Sequence, residues 1–212
     1  MKYPKRIELA TSAVINLTRA VAEDPFTEPF LELYGRKENN AVRIFNVYNF
    51  ATADRAAEEV GYGNFSAKER LEAFEEALAA SNPHADISRR VGQAHAHLHP
   101  NYGELNREDL TSIQERMKEY EMDTWIEIIL HHRPMHHRNL GLGVYYSRDG
   151  KRAKVTVSNP GKKINKTRGF RIEIDFVGHF VYATDRLIMS KELYVFFDDK
   201  IRKYFTSLPS RS

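Results

Sequence analysis

Residues 91–110 constrain this chain more than any other stretch: Val-Gly-Gln-Ala-His-Ala-His-Leu-His-Pro-Asn-Tyr-Gly-Glu-Leu-Asn-Arg-Glu-Asp-Leu. Histidines alternate at His95, His97 and His99, and Pro100 follows at once. In an extended strand, side chains two apart point the same way, so alternate imidazoles converge on one face. A loop then leads to Asn106, a good helix cap, and Asp109 falls three residues later, in the first turn. Two imidazoles at that spacing grip one metal ion, and the turn swings a carboxylate in as third ligand. Three protein ligands with one position left for water describe a catalytic zinc site.

The rest of the composition agrees with a metal held by His, Asp or Glu, because the chain has no cysteine. Disulfides, thiolate ligands and a cysteine nucleophile are thereby excluded. At 212 residues the chain forms one ordinary domain, or one with an extension, and buries a core without covalent staples. No apolar run approaches the roughly 20 residues that span a bilayer. The basic start (Met1, Lys2, Tyr3, Pro4, Lys5, Arg6) is followed by no apolar signal-peptide region, which reads as a soluble, cytoplasmic protein. A net charge of +3 is too mild to call for nucleic acid.

Ile7 and Leu9 predict a short strand, and Val14, Leu17, Thr18 and Val21 an amphipathic helix ended by Asp24-Pro25. Phe30 to Tyr34 reads as a buried strand ending at Gly35, Arg36 to Asn40 as a turn, and Ala41 to Phe50 as its hairpin partner. Residues 51–65 read as a loop. Ser66 and Glu69 form a capping box for a helix with Leu71, Phe74 and Leu78 on one face. Arg90 to His97 is the histidine strand; Leu110, Ile113 and Met117 line the helix after Asn106; Trp125 to Leu130 is another buried strand. Residues 141–157 predict a hairpin turning at Asp149-Gly150, and Phe170 to Tyr182 a further strand or pair. Ser190 is expected to cap a last helix striped by Leu193, Phe196, Phe197, Ile201 and Tyr204. Strands alternating with helices suggest an α/β fold, a mixed sheet covered by helices.

A hydrolytic metal site also needs a proton shuttle beside its water. With Asp109 given to the metal, the base must be a carboxylate from another strand. Glu28, at the mouth of the strand Phe30–Tyr34, is preferred over Glu32, Glu58, Glu59 and Glu104, which compete with it on sequence grounds alone.

The segment Glu28-Pro-Phe-Leu-Glu-Leu-Tyr-Gly35, the later Val91-Gly92-Gln-Ala-His95-Ala-His97, and Asn106-Arg-Glu-Asp109 together resemble the JAMM (MPN-type, JAB/Mov34-like) zinc metalloprotease family. That family's pattern is a Glu seven residues before a Gly, then, sixty or more residues on, Gly-x-x-His-x-His-Pro, then a Ser three residues before an Asp. Here Glu28 and Gly35 keep the interval of seven, and 67 residues separate Glu28 from His95. The similarity covers roughly residues 6–158, with 159–212 as a C-terminal β/α extension packed on that domain. Anchoring on Val91-Gly92 selects His95 and His97 as ligands, and anchoring on Pro100 selects His97 and His99; the first is preferred. Asn106 stands where the family has Ser, and Leu98-His99 intervenes before the proline.

The resemblance implies a JAMM/MPN-like, cytidine-deaminase-like architecture and a metallo(iso)peptidase acting on ubiquitin-like conjugates. Zinc would be held by His95, His97 and Asp109, with Glu28 as base and Asn106 steadying the oxyanion. The alternative is a non-catalytic MPN-type protein-binding module.

Two other groups stand out. His131, His132, His136 and His137 surround Arg133-Pro134-Met135, which reads as a surface loop, and His84 and His179 read as surface or strand positions. The basic stretch Arg148 to Arg171, nine cations in 24 residues, reads as a solvated hairpin and loop, with too few aromatics to stack bases.

Overall fold

A computed structural model of the chain describes residues 3–23, 28–49, 66–81, 89–97, 104–136, 143–159, 170–184 and 187–201. Nine strands carry it: β1 (Arg6–Leu9), β2 (Phe30–Glu38), β3 (Ala41–Asn49), β4 (Arg89–His97), β5 (Thr124–His136), β6 (Gly143–Asp149), β7 (Arg152–Asn159), β8 (Phe170–Ala183) and β9 (Ile188–Phe197). Among the described residues three helices join them: α1 (Thr11–Glu23), α2 (Ala67–Ser81) and α3 (Arg107–Glu119).

The strands run β5-β4-β2-β3-β1-β9-β8, and β8 returns to pair with β5. The result is a closed, seven-stranded mixed barrel, from which β7 and β6 continue as an extra flap. The helix-flanked α/β sheet expected above, and with it the JAMM-like architecture, is therefore incorrect. Closure rests on the antiparallel ladder from Thr124↔Tyr182 to His136↔Phe170, a pairing of segments far apart in sequence. Among the described residues, β1–β3, β1–β9 and β4–β5 are the parallel pairs.

The interior is apolar. Leu31, Leu33, Ala94, Ala96, Ile126, Ile128, Leu130, Ile174 and Phe176 form one buried cluster, to which α1 adds Ala13, Val14, Leu17 and Val21. Alternation then commits Gln93, His95 and His97 of β4, and Trp125, Glu127 and Ile129 of β5, to the outer face. There α3 covers them, setting Ile113 and Met117 against Trp125 and Val181. On the β2–β3 side Leu71 of α2 packs with Tyr34 and Tyr48.

Four local expectations need correction. Gly35 does not end β2; the strand continues to Glu38 through a bulge between Tyr34 and Gly35. A Cβ at Gly35 would lie 2.0 Å from the Arg43 carbonyl oxygen, so the glycine serves close backbone approach instead. The stretch His131 to His136 is strand, not loop. Past His131, β5 has no β4 partner among the described residues, and such an edge tolerates Pro134. The β6–β7 turn is Gly150-Lys151, one residue later than expected, with Gly150 at φ +54°.

The fourth correction is the largest. Residues 188–197 form β9 rather than the last helix, parallel to β1 and antiparallel to β8. Leu193, Val195 and Phe197 are buried and Tyr194 is exposed, a period of two in a run of β-prone residues. Tyr204, the 51–65 loop, and His84, His99 and His137 lie outside the described residues. No helix among the described residues is long and apolar enough to cross a membrane.

Candidate metal centre

The site is built from one strand, one helix cap and one buried carboxylate. His95 and His97 leave β4 on its outer face, two residues apart as the alternation requires, and both are buried. Asn106 caps α3 with a complete capping box: its side-chain oxygen accepts from the Glu108 and Asp109 backbone N–H groups. In return the Asn106 N–H donates to Asp109 Oδ2 at 2.9 Å. One carboxylate oxygen is thus tied to the helix start, and the other, Oδ1, faces the imidazoles.

Asp109 Oδ1 lies 3.6 Å from His95 Nε2 and 4.0 Å from His97 Nε2, and the two Nε2 atoms are 2.7 Å apart. A tetrahedral ion with bonds of about 2.0–2.1 Å spaces its ligand atoms about 3.3 Å apart. The three observed separations bracket that value. His95, His97 and Asp109 are able to hold a metal ion.

Glu127 fixes the orientation of the first imidazole. It lies across from Gln93 in the parallel β4–β5 register and is fully buried. His95 Nδ1 donates to Glu127 Oε1 at 2.6 Å, and Trp125 Nε1 donates to Oε2 at 2.9 Å. With Nδ1 engaged, Nε2 is the nitrogen left to bind a metal, and a carboxylate behind a ligating histidine raises its basicity. Burial pushes the Glu127 carboxyl up, against the opposing hydrogen bonds from His95, Trp125 and Gln93. For His95, burial works toward the neutral ring. The hydrogen bond and charge of Glu127, with the charges of Asp109 and Glu28, outweigh it and raise the imidazole above its ordinary value. The donor set, two imidazoles and a carboxylate with a buried carboxylate behind one of them, therefore fits a divalent cation.

Glu28 is exposed, two residues before β2 begins. Phe30 pairs with His95 and stacks on its ring at 5.6 Å, so the chain leading back to Glu28 runs toward the His97 end of β4. Its charge reaches His95. Its rivals are distributed elsewhere: Glu104 is exposed, and Glu32 is buried and bonded to Arg116 at 2.7 Å. Glu58, Glu59 and the alternative ligand His99 lie outside the described residues.

The second residue beyond the sequence motif is His131. It is His97's partner across the β4–β5 pairing, is buried, and lies 3.9 Å from Asp175, which Lys154 approaches at 3.4 Å. The sequence signal for Glu127 was its isolation, a single carboxylate inside the apolar run Trp-Ile-Glu-Ile-Ile-Leu. Such a charge stays in a core only when it has partners. His131 carried no comparable signal, since the parallel register that pairs it with His97 is set by tertiary structure. No protein-family model matches this chain and no curated protein matches it, so the reading of the site rests on the geometry above.

Proposed function

We propose that the protein is a zinc-dependent amide hydrolase, a metallopeptidase or isopeptidase, with ubiquitin-like conjugates as the substrate class. The observation that carries the reading is the buried Glu127–His95 hydrogen bond behind a His-His-Asp set. Three protein ligands with a supporting carboxylate, and no fourth ligand among the described residues, are the pattern of catalytic rather than structural zinc. The choice of an amide bond and of a ubiquitin-like substrate rests on the motif intervals shared with the JAMM family, from Glu28 to Asp109. It does not rest on the fold, which differs.

Bound at this set, zinc supplies a water acidic near neutral pH and a Lewis acid for the scissile carbonyl. Glu28 takes the proton of the attacking water and delivers it to the leaving amine nitrogen, so that the carboxylate is regenerated as the bond breaks. Glu127 holds His95 in the tautomer whose Nε2 lone pair is available. Asn106 has its side-chain oxygen committed to the α3 cap, which leaves the amide N–H₂ to donate to the carbonyl oxygen as charge builds there.

Purified protein is expected to hold about one zinc per chain, and a His97→Ala variant is expected to lose it. Glu28→Ala is expected to keep the metal while cleavage of a ubiquitin-like fusion falls about 10²–10⁴-fold. Zinc content untouched by His97→Ala would remove the metal centre. Cleavage untouched by Glu28→Ala would remove the base, and metal-loaded protein that cleaves no such fusion would favour the binding module.

A further inference from the structure

At the opposite end of β4 the side chains change sign. A cavity of about 800 Å³ opens between Arg36 and Lys37 of β2, Glu75 of α2, Arg89 and Arg90 of β4, and Tyr120 just past α3. These are its charged walls, four cations against one carboxylate. Its volume lies within the range of small-molecule sites, about 300–1,000 Å³.

Arg90 anchors the floor. Its side chain is only 11% exposed, its Nη2 donates to Glu75 Oε1 at 2.6 Å, and its guanidinium lies 3.8 Å over the Tyr120 ring. Glu75 is already engaged, since the same oxygen accepts from the Tyr34 hydroxyl at 2.9 Å. Arg90 Nε and Nη1 are buried and make no hydrogen bond; the Glu32 carboxylate is the nearest acid to Nε, at 3.8 Å. Buried donors without acceptors are rare in native proteins and call for a ligand, ion or water. A guanidinium that never deprotonates, with N–H groups to spare beside Arg89, Lys37, which also donates to Thr124 Oγ1, and Arg36, which pairs with Glu38 at 2.6 Å, calls for an oxyanion.

The aromatic wall narrows the ligand further. Tyr120 has Arg90 over its ring, and it stacks parallel to Trp125 at 6.2 Å. Both contacts occupy the surface on which a nucleobase would stack, so the charge rather than a base is what the cavity reads. From these observations we propose that the cavity is a binding site for a small phosphorylated molecule, recognised through its phosphoryl groups by Arg90, Arg89 and Lys37. Seven residues of extended strand, about 23 Å, separate Arg90 from His97, so this anion does not bind the metal. The site stands whether or not the metal centre hydrolyses anything.

Titration of the full-length, chelator-treated chain with inorganic pyrophosphate, followed by calorimetry, tests it. One saturable site is expected, and sulfate at matched ionic strength should not displace the ligand fully. Arg90→Gln is expected to weaken binding by about tenfold or more. Because Arg90 also ties Glu75 and Glu32 into the fold, the rim variants Arg89→Gln and Lys37→Gln carry the decision. Each should weaken pyrophosphate by about three- to tenfold while the melting temperature of the unliganded protein stays within about two degrees. No saturable binding up to millimolar pyrophosphate, or binding that both rim variants leave unchanged, would overturn the assignment.

Discussion

Along β4, Gly92, Ala94 and Ala96 belong to the interior face of the barrel, while Gln93, His95 and His97, each one residue away, belong to the outer face beneath α3. The interior set is small and has no polar side chain; the outer set meets Glu127, Asp109 and, one pairing further, His131. The small residues permit the close approach of β4 and β5, and that approach sets the register that brings Glu127 behind His95. The inner face therefore holds the geometry and the outer face holds the chemistry. Each can be broken without touching the other's side chains.

The largest effect should come from the inner face. A Cβ on Gly92 would sit 1.8 Å from the Ile126 carbonyl oxygen, and 2.6 and 2.7 Å from that residue's backbone carbon and nitrogen. No rotamer relieves a clash with backbone, so Gly92→Ala must part β4 from β5. We expect a loss of about 4 kcal/mol or more in urea unfolding, or failure to fold, because values that large follow from breaking the backbone packing itself. A loss under about 1 kcal/mol would show that the two strands are not so closely held.

Next comes a change on the outer face alone. Glu127→Gln keeps the shape but cannot accept from both His95 and Trp125 as a carboxylate does. Zinc affinity should fall about 10–100-fold, measured by chelator competition. The metal-free protein should also lose about 1–3 kcal/mol in urea unfolding, since the substitution leaves one buried donor, of His95 or Trp125, facing an amide N–H₂ instead of an acceptor. Unchanged zinc affinity would mean that His95 is not oriented by this bond.

Much of the outer face was legible in the sequence and most of the barrel was not. Alternate histidines, the Asn106 cap before Asp109, and the Ser66–Glu69 box are local patterns, and local patterns survive folding: the cap and the box both form. Closure is different. The β5–β8 ladder joins residues 34 to 58 positions apart, and nothing in either strand names its partner. The segment from Ser190 onward satisfied two periods at once, with Leu193, Phe196, Phe197 and Ile201 at helical spacing and Leu193, Val195 and Phe197 at strand spacing. Free edges on β1 and β8 decided for the strand. Pro134 was read as a strand breaker, although at an edge it need not be one.

A smaller effect separates the two duties of Asn106. As N-cap it accepts from Glu108 and Asp109, and in the proposed reaction its amide donates to substrate. Asn106→Ala should cost about 1 kcal/mol in stability, and Asn106→Ser, which caps equally well, should restore it. If capping is the whole role, Ser also restores turnover completely. If amide donation matters, turnover in Asn106→Ser stays below wild type while its stability matches.

The smallest effect lies where the outer face runs past the metal centre to Asp175. Burial works to raise this carboxyl, but the hydrogen bond from His131 and the charge of Lys154 prevail and hold it below the ordinary carboxylate range. A carboxylate lowered by folding adds stability above its unfolded value, about 3.9, and that contribution fades as pH falls through the folded value. Asp175→Asn should therefore cost up to about 1 kcal/mol at pH 7, as a partly solvated ion pair does, with the gap to wild type closing below about pH 4. Ala153, whose position on β7 pairs with Phe176 inside the barrel, offers the matched control, because no titrating group is involved in its packing. An Ala153→Gly variant should lose the same stability at both pH values. If the Asp175→Asn deficit also stays constant with pH, then that end of the outer face is held by packing, as the inner face is, and the division between the two faces stops at His131.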